Sequence, residues 1–539
     1  MPVLNGIPMD LNFNIDIHCH TSGKPYMSGR NNQAHTPFDT YNNEIQGWLL
    51  NRLNRLIENI SNIRLATQSN FDNLSKGNVR VIIASLTPLE RAFLVANVSP
   101  ASFLNDILKD LVTEKKTPWE DTLKTKVVNA LTGYYTDDLE FIKKMMLNYF
   151  QEALLPEYNY FTKFNNKKNP GNKYSIKFVR NYSQLEETIK ADSKTICVLL
   201  SIEGAHALAN RVPDLGVLRR EQGKSHKNEQ PDFTPLIDYL NNIEAMKQWE
   251  FVPLFVTLNH HFWNGLAGHA KSLIKLVNNI VSQSEGINEG LKEMGKEVIK
   301  LLLKKTNGPR ILIDIKHMSP LCRKEFYAFI KTEYWNRNDK FPLICSHTGV
   351  VSKSRTLDAL VRQNDDRELT DNNNYLHENS INLCAEDVLV IAETKGLIGL
   401  QLDEKRIGGN HIIKIIKEDT ELTARALRMQ YVKILFANLF EIVKTVNGKS
   451  GWDLVSIGSD YDGLVNHLDF YPTTAEMPVL RNDMLKFLQK PEEISQPGFN
   501  YKLTIPELKA LMFGLSPELI IDKLFAGNVM EFLKQNFNR

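Results

Sequence analysis

Asn14-Ile15-Asp16-Ile17-His18-Cys19-His20 is a short β-branched run that closes on two histidines one residue apart. Branched side chains favour strands, and strand side chains alternate with period two, so His18 and His20 face the same side. The same plan recurs along the chain: a strand-length apolar run ends on a polar residue and is followed by a longer segment of helical periodicity. Such runs are Phe13 to Ile17, Val79 to Ser85, Ile196 to Ile202, Phe251 to Thr257, Ile311 to Ile315, Leu343 to Cys345, Gly396 to Gln401 and Leu454 to Gly458. Strand and helix alternating in this way indicate parallel α/β architecture, and eight repeats predict a (β/α)8 TIM-type barrel. Between the runs lie helical stripes. In Ile287 to Leu303, for example, Leu291, Met294, Val298 and Leu302 recur at three and four residues.

The 539 residues carry 65 Lys+Arg against 63 Asp+Glu, a net charge of +2, and 42% hydrophobic residues. Mean hydropathy is -0.30. This is an ordinary globular composition. Without a long basic run, a protein built to grip nucleic-acid phosphates is not expected, and no stretch has the length and apolarity of a membrane span. No leader pattern opens the chain and no lipid-anchor tail closes it, so a cytoplasmic location is expected. Cys19, Cys197, Cys322, Cys345 and Cys384 are scattered, with no C-x-x-C pair, and read as reduced thiols. Cys19 reads as a small residue flanking the histidines rather than as a nucleophile. The gaps between the first three runs exceed ordinary βα loops. A single domain over 1–539 is expected, with long helical insertions around 21–76 and 103–170. Gln363 to Asn379 reads as a polar, mobile loop.

The chemistry-bearing residues cluster at the C-terminal ends of the runs, which in a barrel converge on one mouth. His18 and His20 follow the first run, Glu203 ends Leu199-Leu200-Ser201-Ile202, His260 and His261 follow Thr257-Leu258-Asn259, and His317 follows Ile313-Asp314-Ile315-Lys316. His347 follows Ile344-Cys345-Ser346, and Asp460 follows Ser456-Ile457-Gly458-Ser459. Imidazoles aimed at one cavity lack partners unless a cation organises them. Glu203, at the end of an apolar run, needs positive charge beside it, and its two oxygens could bridge two ions. Those ions would be held by His18 with His20 and by His317 with His347. A carboxylate at Asp460 could take a proton from water and return it to a leaving group. Asp462, followed by Gly463, reads as turn chemistry. Adjacent His260 and His261 point in different directions, and His260 is the one expected to reach the site and stabilise an oxyanion. His206 reads equally as a supporting residue or a helix start. His35, His226, His269, His377, His411 and His467 are expected at the surface. There is no phosphate-cradling G-x-x-x-x-G-K-[ST] and no G-x-S-x-G elbow.

Together these blocks resemble the amidohydrolase superfamily and, within it, the membrane (renal) dipeptidase family of metallopeptidases. The resemblance runs through most of the chain. It is carried by Asp16-Ile17-His18-Cys19-His20, Ile202-Glu203-Gly204-Ala205-His206, Thr257-Leu258-Asn259-His260, Ile313-Asp314-Ile315-Lys316-His317, Ser346-His347-Thr348, Gly458-Ser459-Asp460-Tyr461-Asp462-Gly463 and Ala526-Gly527-Asn528. It implies a site of two divalent metal ions, zinc in the family. Glu203 would bridge them, His18 and His20 would hold one, His317 and His347 the other, and Asp460 would sit at the metals and handle the proton. It also implies hydrolysis of a dipeptide or similar small-molecule amide through a metal-bridging hydroxide, with His260 and Asn528 on the substrate, and a homodimer. The family has His-x-Asp where this chain has His18-Cys19-His20, which makes the site one unit more positive. The arginine that grips the substrate carboxylate in the family is missing from Ser380-Ile381-Asn382-Leu383, so Arg355 or Arg362 is expected to replace it. Two further readings are a metal-dependent phosphoesterase or nuclease of the PHP or TatD type, whose opening motif is similar, and a non-catalytic barrel that binds a protein partner.

Overall fold

The computed structural model describes residues 12–29, 35–40, 64–95, 148–211, 235–273, 283–352, 355–362, 375–418, 423–490 and 504–538. Its strands are β1 (Asn14–Cys19), β2 (Val79–Leu86), β3 (Ser175–Phe178), β4 (Thr195–Glu203), β5 (Phe255–Thr257), β6 (Leu312–Asp314), β7 (Ile344–Thr348), β8 (Leu397–Leu400) and β9 (Val455–Ile457). All except β3 answer to an expected run. They pair in the order β1-β2-β4-β5-β6-β7-β8-β9, every pair parallel. The ring closes just beyond β9, where the Asp460 amide donates to the His18 carbonyl and the His20 amide to the Tyr461 carbonyl, both at 2.9 Å. The architecture is the predicted (β/α)8 barrel.

β3 is the unexpected element. It lies off the ring and pairs with the first half of β4, from Ser175 opposite Thr195 to Phe178 opposite Val198. Ile176 and Phe178 are buried while Ser175 and Lys177 are partly exposed, the period-two pattern of a strand with one covered face.

The helices on the outside form for local reasons. Pro320–Glu333 opens with Pro at its first position and Ser319, whose hydroxyl accepts from the Cys322 amide at 3.0 Å. Ala424–Val446 is capped by Thr423 and ends where Asn447 turns left-handed. The expected helix Ile287 to Leu303 begins only at Glu293. Before it Asn288 is left-handed and Leu291 bridges Ala267, which breaks the helical ladder. Val298 and Leu302 are fully buried as the stripe requires, and Met294 is partly buried.

Most of the two expected insertions, residues 41–63 and 96–147, lies outside the described residues. Their described flanks include helices Gly23–Gly29, Phe71–Lys76 and Leu155–Thr162. Of the expected loop at 363–379, only 375–379 is described, and there Tyr375, Leu376, His377 and Glu378 are buried rather than solvated. Among the described residues no helix is long and apolar enough to cross a membrane.

Candidate metal centre

Strand ends bring the predicted ligands together. Glu203 Oε1 lies 3.5 Å from His18 Nε2, 3.1 Å from His317 Nε2 and 3.6 Å from His347 Nε2. Its Oε2 lies 3.2 Å from His20 Nε2 and 3.5 Å from His260 Nε2. Asp460 Oδ1 is 3.3 Å from His20 Nε2 and 3.6 Å from His18 Nε2, and its Oδ2 is 3.7 Å from His347 Nε2. Two buried groups could each hold a metal ion: His18, His20, Glu203 and Asp460 in one, and Glu203, His317 and His347 in the other. Glu203 belongs to both.

The backbone is bent to achieve this. His317 and Asp460 adopt φ of 66° and 62°, a region costly for residues with a Cβ, which aims each side chain back over the mouth. Gly204 has φ of 92°, and a Cβ there would stand 2.3 Å from His206 Nδ1, so the turn after Glu203 needs glycine.

The donor set fits divalent cations. His18 Nδ1 and Nε2 and His20 Nε2 are buried without a hydrogen-bond partner although carboxylate oxygens lie close by, a costly arrangement that a shared cation resolves. Burial disfavours charge on Glu203, but the His260 and His18 rings hold its carboxyl well below its ordinary range. Burial likewise opposes a proton on His20, yet Asp460 and Glu203 outweigh it and push that imidazole up to about 10. The two carboxylates thus draw positive charge to the position a metal would fill. Burial pushes His317 down to about 3 and His347 well below its ordinary value, leaving both neutral, the form that ligates.

Supporting residues fix these positions. Asp16 on β1 accepts from the Ser459 amide at 3.0 Å, from the Ser459 hydroxyl and from the His18 amide at 3.1 Å, latching β1 to the end of β9. Asp314 on β6 accepts from the Ser346 amide and hydroxyl at 3.0 and 2.6 Å, the Thr257 hydroxyl at 2.7 Å and the Lys316 amide at 3.0 Å. Gln401 Nε2 donates to Asp460 Oδ2 at 2.7 Å. Asp462 is more than a turn residue: it pairs with Lys24 at 2.8 Å and accepts from the Gln68 and Ser69 amides.

His260 reaches the site, as expected, and Glu90 stands behind it, with Oε2 2.9 Å from His260 Nδ1. Burial lowers the His260 pKa, but Glu203 and Glu90 together raise it above its ordinary value. His261 turns aside to Ser272 Oγ at 2.6 Å. His206 Nε2 bonds the Pro88 carbonyl at 3.0 Å, and its ring stacks with that of His260 at 6.4 Å, so it supports the same wall. The sequence carried no signal for Glu90, which sits in a loop 170 residues from His260.

Two cavities flank the cluster. One, of about 80 Å³, is walled by Met27, Leu89, Phe93, Glu90, Glu157 and His260. The other, of about 30 Å³, is lined by Lys316, Gln401, Asp403, Arg406 and Asp460. Lys316 is almost fully buried, and burial, with the Arg406 charge adding to it, pushes its ammonium down to about 8.

Several expectations need correction. Asn528, expected on the substrate, is placed at the start of β9, the end remote from Asp460, where its amide donates to the Trp452 and Val455 carbonyls at 2.7 and 2.8 Å. Arg355 lies 3.6 Å from Glu378 and lines neither cavity. His269 and His377 are buried rather than at the surface. His269 ties its loop through the Ala270 and Glu285 carbonyls at 3.0 and 2.8 Å. His226 lies outside the described residues. Cys19 is buried and its thiol is pushed well up, in keeping with a small flanking residue.

No family model and no curated protein sequence matches the chain. Solved structures to which it is similar include dipeptidase AC, a metallopeptidase, at 12% identity over 98% of this chain and 99% of that one, with TM-score 0.42. An amidohydrolase from Pseudomonas aeruginosa is 12% identical over 87% and 92% of the two chains, with TM-score 0.40. A metallopeptidase from Rhodobacter sphaeroides, liganded with a phosphinate mimic of the dipeptide L-Ala-D-Ala, is 13% identical over 97% and 99%, with TM-score 0.39.

Proposed function

We propose that the protein is a metal-dependent amidohydrolase with two divalent ions, zinc by preference, and that it cleaves the C–N bond of a dipeptide or similar small amide. One observation carries this reading: Glu203 is shared by two buried ligand groups whose other members are imidazoles and Asp460. Four imidazoles and two carboxylates form a nitrogen-rich set suited to zinc rather than magnesium or calcium. Bound there, such ions supply Lewis acidity to a carbonyl oxygen and lower the pKa of water. Asp460, oriented by Gln401, accepts a proton from the attacking water and delivers it to the departing amine. His260, steadied by Glu90, presents its Nε2–H to the carbonyl oxygen as negative charge develops, and its raised pKa favours the doubly protonated ring.

The test is turnover by zinc-loaded protein of dipeptides with L- and D-configured C-terminal residues, beside an aryl phosphodiester. Chelator-sensitive peptide hydrolysis is expected. Phosphodiester cleavage without peptidase activity would replace this reading with the phosphoesterase one.

A further inference from the structure

The smaller cavity contains a group that neither metal binding nor the proton-handling chemistry uses. Lys316 is 2% exposed, and its Nζ has no hydrogen-bond partner. A protonated lysine offers three donors and no acceptor, so a buried unpaired ammonium is unfavourable unless an anion completes it. Arg406 lines the same cavity, with one Nη held by the Ser272 carbonyl. Asp403 is there too, its carboxylate engaged by the Lys405 and Asn466 amides at 2.9 and 3.1 Å. With Asp460 assigned to the metal group, two cations against Asp403 leave one net positive charge, which matches a monoanion. At about 30 Å³ the space suits the two oxygens of a carboxylate. Gln401 Oε1 is also buried without a partner, an acceptor placed for a neighbouring N–H. The larger cavity has the opposite character, with Glu90 and Glu157 in its wall.

Resting on the amidohydrolase reading, we propose that Lys316 and Arg406 form a carboxylate-binding subsite beside Asp460, so that the protein selects small amides bearing a free acid at that end. Lys316 lies in the turn after β6 and Arg406 in the short helix Glu404–Ile407 after β8. It predicts an unusual pairing of effects. Replacing an unpartnered buried ammonium by an apolar chain of similar length removes a destabilising group, so Lys316→Met should unfold at a higher temperature while losing selectivity for acids.

The experiment compares zinc-loaded full chain, wild type against Lys316→Met and Arg406→Gln, on L-Ala-L-Ala and on its C-terminal amide. Wild type should favour the free acid in kcat/KM, and each variant should shrink that preference at least about tenfold. An unchanged acid-to-amide ratio in both variants would overturn the subsite, as would a lower unfolding temperature for Lys316→Met with the ratio intact. If neither dipeptide is cleaved, the amidohydrolase reading fails separately, and calorimetric titration with acetate decides the subsite. Binding at least about tenfold weaker in Lys316→Met sustains it, and equal binding refutes it.

Discussion

At the scale of single residues, the site is defined by Glu203, a carboxylate that burial alone would neutralise and that neighbouring imidazoles keep charged. Asp460 stands apart from Glu203 because Gln401 holds one of its oxygens while the other faces His18 and His20. Asp460→Asn keeps the shape but cannot accept a proton. Its kcat should fall by about 10²–10⁴-fold, with metal content measured by elemental analysis little changed. Glu157 makes a different prediction. Burial raises its carboxyl to about 7 from an ordinary 4.5, although Ser22 donates to it at 2.8 Å. A raised carboxyl stabilises the fold fully below about pH 4.5, and that contribution is lost as pH rises through about 7. Glu157→Gln should therefore flatten the decline of stability between those values. Metal-free variant should gain on wild type, between pH 5 and 8, on the order of 2 kcal/mol in urea unfolding.

At the scale of elements, the ligands are only as well placed as the strand ends that carry them, and two buried aspartates tie those ends together. Asp314 gathers donors from Thr257, Lys316 and Ser346, joining the ends of β5, β6 and β7 beneath His317 and His347. Asp314→Asn sets an NH2 group against donors. It should lower stability by about 2–3 kcal/mol, read as a lower urea midpoint at unchanged m. The strands were legible because an apolar β-branched run of strand length has few alternatives, and the ligands because each follows its strand within a few residues. What could not be read depends on distant loops meeting. Glu90 behind His260, Lys24 against Asp462 and Arg406 beside Lys316 leave no local pattern. Asn528 is assigned by likeness of motif and Arg355 as a stand-in for a missing arginine, and the Trp452 and Val455 carbonyls and Glu378 that engage them lie elsewhere in the chain. β3, at four residues, is too short for its alternation to stand out.

At the scale of the whole molecule, the barrel is a frame that converges separate strand ends on one carboxylate, Glu203. If cations complete that point, they stabilise the native chain over the unfolded one, so chelator should lower the unfolding temperature and zinc restore it. Glu203→Ala should abolish this response, because it removes the one ligand common to both groups. The most direct measurement is metal content per chain in full-length protein purified without added metal or chelator. The account predicts about two zinc-like ions per chain. A single ion would contradict the sharing of Glu203, and none, even after reconstitution with zinc, would contradict the metal centre itself.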